Sequence, residues 1–358
     1  MTPPFRPGDL APWFTAATPG NPQFHFSASV GRYILLGFLP SPGQARDAVV
    51  HGLLAERGLL DDRKLSAFLV LRDAASIGQA RDQPPGLRWF LDADGALSRL
   101  YGALEGAVGQ DATERPYWLL LDPSHRVLGA FAIEDTTGMT AALRGLPEVA
   151  DYAGADLVAP VLIAPRVFDA DLCKRLIACH EADGGAPSGV MRDMDGRTVG
   201  VLDGFKRRRD ATIGDEALRR EVLSRLRRAL IPEIAKAFQF EVTRVERHLV
   251  ACYDAADGGY FKPHRDNETL GTAHRRFACS INLNAEAFEG GDLRFPEFGP
   301  RTYRPPTGGA AVFCCSLQHE ATPVTRGRRY AFLPFFYDEG GHAIRERNAA
   351  FLAAPPVP

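Results

Sequence analysis

The sequence predicts a two-domain α+β protein, and three observations carry that reading. The chain has 358 residues, more than one ordinary core organises and enough for two. Residues 1 to about 150 alternate strand-like and helix-like segments. From Val242 onward the pattern changes to short strands separated by turn residues, preceded by two helices.

In the first half, YILLGFLP, SAFLVLRD and YWLLLDP are short apolar runs that end in turn residues, as strands do. Between them, QARDAVVHGLLAERG and ALSRLYGALEGAV carry apolar residues at helical spacing. Such alternation argues an α/β sheet, partly parallel. Composition shifts in GLPEVADYAGADLVAP, so the domains are set at 1–151 and 152–358. A helix is expected over DADLCKRLIACHEA, capped by Asp169 or Asp171. A second, strongly basic helix covers DEALRREVLSRLRRALIPEIAKAF, interrupted near Pro232, and its Leu218, Val222, Leu226 and Leu230 stripe would pack on the domain that follows. The strands after it are VERHLVACYD, RFACSINLN, DLRFPEF, AAVFCCS and RYAFLPFFYD, and the tail AAPPVP reads as frayed.

A hydrophobic share of 45% and a charged share of 24% are those of a soluble globular chain. The net charge of -2 gives no reason to expect nucleic acid. No apolar run approaches the roughly 18 residues of a membrane span, and MTPPFRPGD lacks the charged head and apolar body of a signal peptide. Cytoplasmic residence without a membrane partner is the expectation. All six cysteines (Cys173, Cys179, Cys252, Cys279, Cys314, Cys315) lie in the second half without CxxC spacing, as free thiols in a reducing compartment would.

The chemistry concentrates near the C-terminus. His264 and Asp266 in KPHRDN and His319 in SLQHEATPV offer two imidazoles and one carboxylate, the set that holds non-haem Fe(II) on one face. In an extended strand, residues i and i+2 share a side, so His264 and Asp266 reach one ion while Arg265 turns away. His319, 55 residues later, would return on a neighbouring strand. Arg329 heads the apolar run YAFLPFFY. A guanidinium inside apolar walls is costly unless it meets an anion, and a dicarboxylic cosubstrate would suit it. Arg328 and Arg326 compete for that place, because alternation decides which arginine faces inward.

The segment from about Pro160 to Tyr337 resembles the Fe(II)- and 2-oxoglutarate-dependent dioxygenases of the prolyl 4-hydroxylase-like branch, through YDAADGGYFKPHRD, the Gly-Gly turn of FEGGDLRF, HEATPV and GRRY in that order. The resemblance implies a double-stranded β-helix, or jelly roll, with flanking helices. It implies Fe(II), 2-oxoglutarate and O2, with ascorbate as an accessory reductant. The implied reaction hydroxylates an unactivated carbon of a peptide, prolyl or amino-acid-like substrate and converts 2-oxoglutarate to succinate and CO2. His264, Asp266 and His319 would be the metal ligands and catalytic centre, Arg329 the partner of the distal carboxylate, Tyr253 a hydrogen-bond partner of the cosubstrate, and Asn282 a contact of substrate or cosubstrate. Asp266 argues against a halogenase.

Two departures touch the substrate wall: Ile281 and Asn282 stand where some prolyl hydroxylases have a Tyr pair, and Phe335 where they have Trp. The run Lys206-Arg207-Arg208-Arg209 reads as a solvated loop or as an entrance patch for an anionic substrate group. His248 and His274 are off-motif but near enough to line the pocket, and His180 is placed to meet its helix's C-terminal carbonyls. The competing function is a non-catalytic iron and 2-oxoglutarate sensor or interaction module; a homo-oligomer is compatible with either.

The first domain resembles the thioredoxin fold of peroxiredoxins through GDLAPWFTA, GRYILLGFLPSPG and RPYWLLLDPSHRVLGAF. The chemistry does not transfer, because no Cys lies between Met1 and Asp171 and thiol peroxidases need a thiolate. A redox-inert domain that holds a partner, covers the oxygenase mouth or self-associates is expected.

Overall fold

The computed structural model describes residues 4–106 and 112–352. The tail AAPPVP and the last residues of ALSRLYGALEGAV therefore lie outside the described residues. Two compact units are present: residues 1–157 with 296–299, and residues 158–295 with 300–358. Among the described residues no helix is long and apolar enough to cross a membrane.

The first unit is built on a seven-stranded sheet ordered Asn21–His25, Thr15–Thr18, Leu87–Leu91, Leu65–Leu71, Tyr33–Phe38, Tyr117–Leu121, Val127–Ala132. The central three strands are parallel and their neighbours antiparallel. The apolar runs lack polar alternation because both sheet faces are covered. Tyr33 and Leu35 enter one core with Val49, Leu53, Met139 and Leu143 of the helices Gln44–Ala55 and Thr136–Arg144. Ile34, Leu36 and Phe38 enter the other with Phe26, Phe68 and Phe90. Gly37 is obligatory for space: a Cβ there would sit 2.4 Å from the Trp118 ring, which faces it across the strand pair. The helix expected over ALSRLYGALEGAV is only Ala96–Leu100, because Gly102 turns at φ +65° and the chain leaves as the short strand Leu104–Glu105.

The second unit holds two larger antiparallel sheets and, among the described residues, the separate hairpin of Val190–Met194 with Arg197–Val201. One runs through Leu162–Ala164, Ala310–Cys314, Phe277–Asn282, Val324–Phe332, Leu249–Asp254, Arg209–Thr212 and Ala186–Pro187, with short strands added beside it. The other runs through Lys206–Arg207, Tyr260–His264, His319–Ala321, Leu293–Arg294 and Thr302–Tyr303. The helix Ala170–Asp183 is capped by Asp169, which accepts from the Leu172 N–H. The basic helix is two pieces, Glu216–Ala229 and Ile231–Phe238. Pro232 sits in the first turn of the second piece, where its missing N–H costs nothing.

Leu218, Val222, Leu226 and Leu230 pack with Leu172 and Leu176 against Val250, Cys252, Cys279, Ile281 and Phe332 of the larger sheet. Because strand side chains alternate, the residues between these must face the other way. Ala251 and Tyr253 do so, packing with Ala321 of the smaller sheet. Tyr253, Ser280 and Arg329 lie on that inner face, with Asn282 bonded to Arg329 beside them.

Candidate metal centre

His264 and His319 are directly paired residues on adjacent antiparallel strands, which brings their rings to 4.3 Å between centroids. The strand ends at His264, so Asp266 lies just past it, not within it as the i, i+2 argument assumed. The Asp266 N–H donates to Cys315 O (3.0 Å), and its carboxylate stands 3.6 Å from His264 Nε2 and 3.2 Å from His319 Nε2. One ligand atom from each of the three lies within 4.8 Å of the others.

The backbone selects which imidazole nitrogen faces the centre. His264 Nδ1 lies 2.8 Å from Lys262 O and His319 Nδ1 3.0 Å from Leu317 O. A carbonyl only accepts, so both rings place an N–H at Nδ1 and turn Nε2 inward, the nitrogen a metal would take. Burial, reinforced by His319, pushes the His264 imidazole down to about 4. Burial opposes ionisation of Asp266, but His319 and His264 outweigh it and hold the carboxyl well below its usual range. Neutral His264 and ionised Asp266 are the forms a divalent metal binds, and two nitrogens with one oxygen suit Fe(II).

Arg329 and Tyr253 are cross-strand partners, as are Arg328 and Asp254 one residue on. Arg329 is 2% exposed, donating from Nη2 to Ser280 Oγ at 2.8 Å and from Nε to Asn282 Oδ1 at 3.4 Å. Its guanidinium also lies 5.1 Å from the Tyr253 ring centroid. Both oxygens are neutral, so the buried cation has no counter-ion in these contacts, and burial lowers its pKa. Arg328 faces out and pairs with Asp254 at 2.7 Å. His264, Asp266, His319, Tyr253, Arg329, Ser280 and Phe335 line one cavity. Asn282 does not line it: its amide donates to Pro305 O (2.8 Å), and its oxygen supports Arg329 from behind.

Several expectations change. The run Lys206–Arg209 is no solvated loop, because Lys206 and Arg208 alternate into the interior at 9% and 8% exposure. Arg208 Nη1 donates to Tyr253 Oη (3.3 Å) and lines the cavity. Burial alternates along 206–209 in the structure, but four consecutive cations carry no such alternation in the sequence. His274 is spent on Glu246 (2.8 Å), and neither it nor His248 is on the cavity wall. His180 lies 3.3 Å from Arg209 O, a carbonyl outside its own helix. Sequence reasoning passed over Ser280 and Arg247, both on the wall, since nothing in the chain marks either.

Residues 248–337 match the model of the 2OG-Fe(II) oxygenase superfamily. The C-terminal region carries a 2OG-Fe(II) oxygenase domain. His264, Asp266, His319, Tyr253 and Arg329 all fall inside that span, and the family's cofactors are Fe(II), 2-oxoglutarate and O2. A PKHD-type hydroxylase from a Synechococcus species is 30% identical over 89 residues, which is 23% of this chain and 39% of that protein. A PKHD-type hydroxylase from Pseudomonas putida is 28% identical over 195 residues, 50% of this chain and 78% of that protein. The crystal structure of a Pseudomonas putida prolyl-4-hydroxylase aligns at 19% identity and a TM-score of 0.39, covering 52% of this chain and 95% of that one. The chain spans about two fifths of the length of the Synechococcus relative.

Proposed function

We propose that this protein is a 2-oxoglutarate-dependent hydroxylase acting on an unactivated carbon of a peptide, prolyl or amino-acid-like substrate. The observation that carries the reading is the convergence of His264, Asp266 and His319 on a cavity that also contains a buried guanidinium, Arg329, with no carboxylate hydrogen-bonded to it among the described residues. His264, Asp266 and His319 would hold the iron. With 2-oxoglutarate bound, that iron supplies the oxygen activation that hydroxylates the substrate as 2-oxoglutarate becomes succinate and CO2.

The protein's own part is placement. Arg329 would take the distal carboxylate in a charge-assisted pair, steadied by Ser280 and Asn282. Tyr253 accepts a hydrogen bond from Arg208, which leaves its own O–H free to donate toward the cosubstrate. Phe261, Phe313 and Phe335 line the same space and keep water from the reacting carbon.

In this proposal residues 152–358 form a jelly-roll oxygenase domain, and residues 1–151 a thioredoxin- or peroxiredoxin-like domain without redox chemistry, in a cytoplasmic protein. The test is incubation of cell extract with the protein, Fe(II), 2-oxoglutarate and ¹⁸O₂, followed by mass spectrometry. A species heavier by one labelled oxygen, formed with succinate and absent for His264→Ala, supports the proposal; succinate without any labelled product counts against it.

A further inference from the structure

The cavity holds more positive charge than the cosubstrate needs. Besides Arg329, Arg208 and Arg247 lie on its wall, and both draw on one carboxylate. Asp210 Oδ2 accepts from Arg208 Nη2 at 2.6 Å, from Ser188 Oγ at 2.6 Å and, weakly, from Arg247 Nη2 at 3.4 Å. Three guanidiniums therefore face two carboxylates, Asp210 and Asp266, one positive charge in excess. A dicationic metal and a dianionic 2-oxoglutarate cancel each other and leave that excess in place.

The excess has a definite location. Arg329 is turned to Ser280 and Tyr253, whereas Arg247 sits 5.4 Å from the Phe335 ring on another part of the wall. Arg208 has only 4% of its side chain exposed, and its buried Nε has no hydrogen-bond partner among the described residues. A buried guanidinium N–H left unpaired is costly, so its persistence beside a cavity points to an acceptor that arrives with a ligand. Arg208 also lines a groove of about 830 Å³ with Lys206, Arg207 and Arg209. Arg207 and Arg209 donate there to the carbonyls of Asp257, Gly184 and Gly185, not to carboxylates. Glu181, Asp254 and Asp257 share that lining, so the groove is of mixed charge, and Arg208 lines both it and the cavity.

We infer that Arg208 and Arg247 form a second anion-recognition point, which binds a carboxylate carried by the substrate itself. The inference rests on the oxygenase reading and narrows its substrate to acidic molecules: a peptide or amino acid with a free α-carboxylate, or a peptide with an acidic side chain near the target carbon.

The experiment is calorimetry on the full chain, held anaerobically with Fe(II) and 2-oxoglutarate. Three probes are titrated: acetyl-prolyl-alanine as the free acid, the same peptide as its amide, and acetyl-prolyl-aspartic acid α-amide. At least one carboxylate probe is expected to bind about tenfold or more tighter than the neutral amide, and which of them does so identifies the source of the anion. Arg247→Gln should erase the preference and Arg247→Lys keep part of it. Arg247 suits the test because 27% of its side chain is exposed and its single carboxylate contact is long, so the fold should tolerate the change. Equal binding of the three probes, binding of none, or a preference unchanged in Arg247→Gln overturns the inference. So does loss of 2-oxoglutarate from Arg247→Gln, which would assign Arg247 to the cosubstrate. Failure of the parent protein to bind 2-oxoglutarate at all is a different result and strikes the oxygenase reading.

Discussion

Replacing Arg329 with Met should damage cosubstrate binding while sparing the fold. Arg329 is 2% exposed and its protein hydrogen bonds go to the neutral Ser280 and Asn282, so the fold carries a desolvated cation whose counter-charge, in the proposed function, would be the cosubstrate. Truncating one partner of a buried charge pair costs about 3–5 kcal/mol. At about 1.4 kcal/mol per decade, 2-oxoglutarate affinity should fall roughly two to three and a half powers of ten. Without cosubstrate the variant should lose no more than about 1 kcal/mol of stability, because an apolar side chain of similar length replaces an unpaired buried charge. Arg328→Met is the control: a half-exposed pair with Asp254 is worth at most about 1 kcal/mol and does not touch the cavity. The assays are 2-oxoglutarate titration of the Fe(II) protein and urea unfolding without ligand. Equal losses of affinity in the two variants, or a larger loss for Arg328→Met, would refute the assignment of faces on the strand Val324–Phe332.

Two further predictions follow from packing and burial. Gly37→Ala should destabilise the first unit by about 1–3 kcal/mol through overpacking, since its methyl would meet Trp118 at 2.4 Å; urea unfolding unchanged from the parent would show that the Trp118 ring yields freely. Burial and the neighbouring Arg208 push the Lys206 amine from 10.5 down to about 6, so between those values the unfolded chain binds more protons than the folded one. The contribution of Lys206 to stability is then complete above about 10.5 and lost as pH falls toward 6. Stability of the parent relative to Lys206→Met should therefore rise from pH 6.5 to 9.5, and parallel curves would mean that Lys206 stays charged where it lies.

What could be read from the chain follows from how local the signal is. His264, Asp266, His319 and Arg329, which the structure brings to one cavity, stood out because the HxD spacing, a second His and a charged residue heading an apolar strand are all local patterns. Their convergence depended on the pairing of His264 with His319, a long-range register that the spacing alone does not set. The helix stripe Leu218–Leu230 was legible as periodicity and holds in the core. The expected helix at ALSRLYGALEGAV was overridden by one left-handed turn at Gly102. Lys206–Arg209 misled because charge was taken as solvation, when strand alternation buried every second residue. Arg247 was invisible: it is a lone arginine at φ +66°, and only the fold puts it on the cavity wall.

The central claim, that His264, Asp266 and His319 hold iron beside a bound 2-oxoglutarate, is tested most directly by visible absorption under anaerobic conditions. Adding Fe(II) and then 2-oxoglutarate to the full chain should produce a weak charge-transfer band. Chelation of the keto acid requires open metal positions, and these exist only if the trio occupies one face. Single alanine substitutions at His264, Asp266 or His319 should abolish the band, with far-ultraviolet circular dichroism unchanged. A band that persists in all three variants, or that never forms in the parent, would contradict the account.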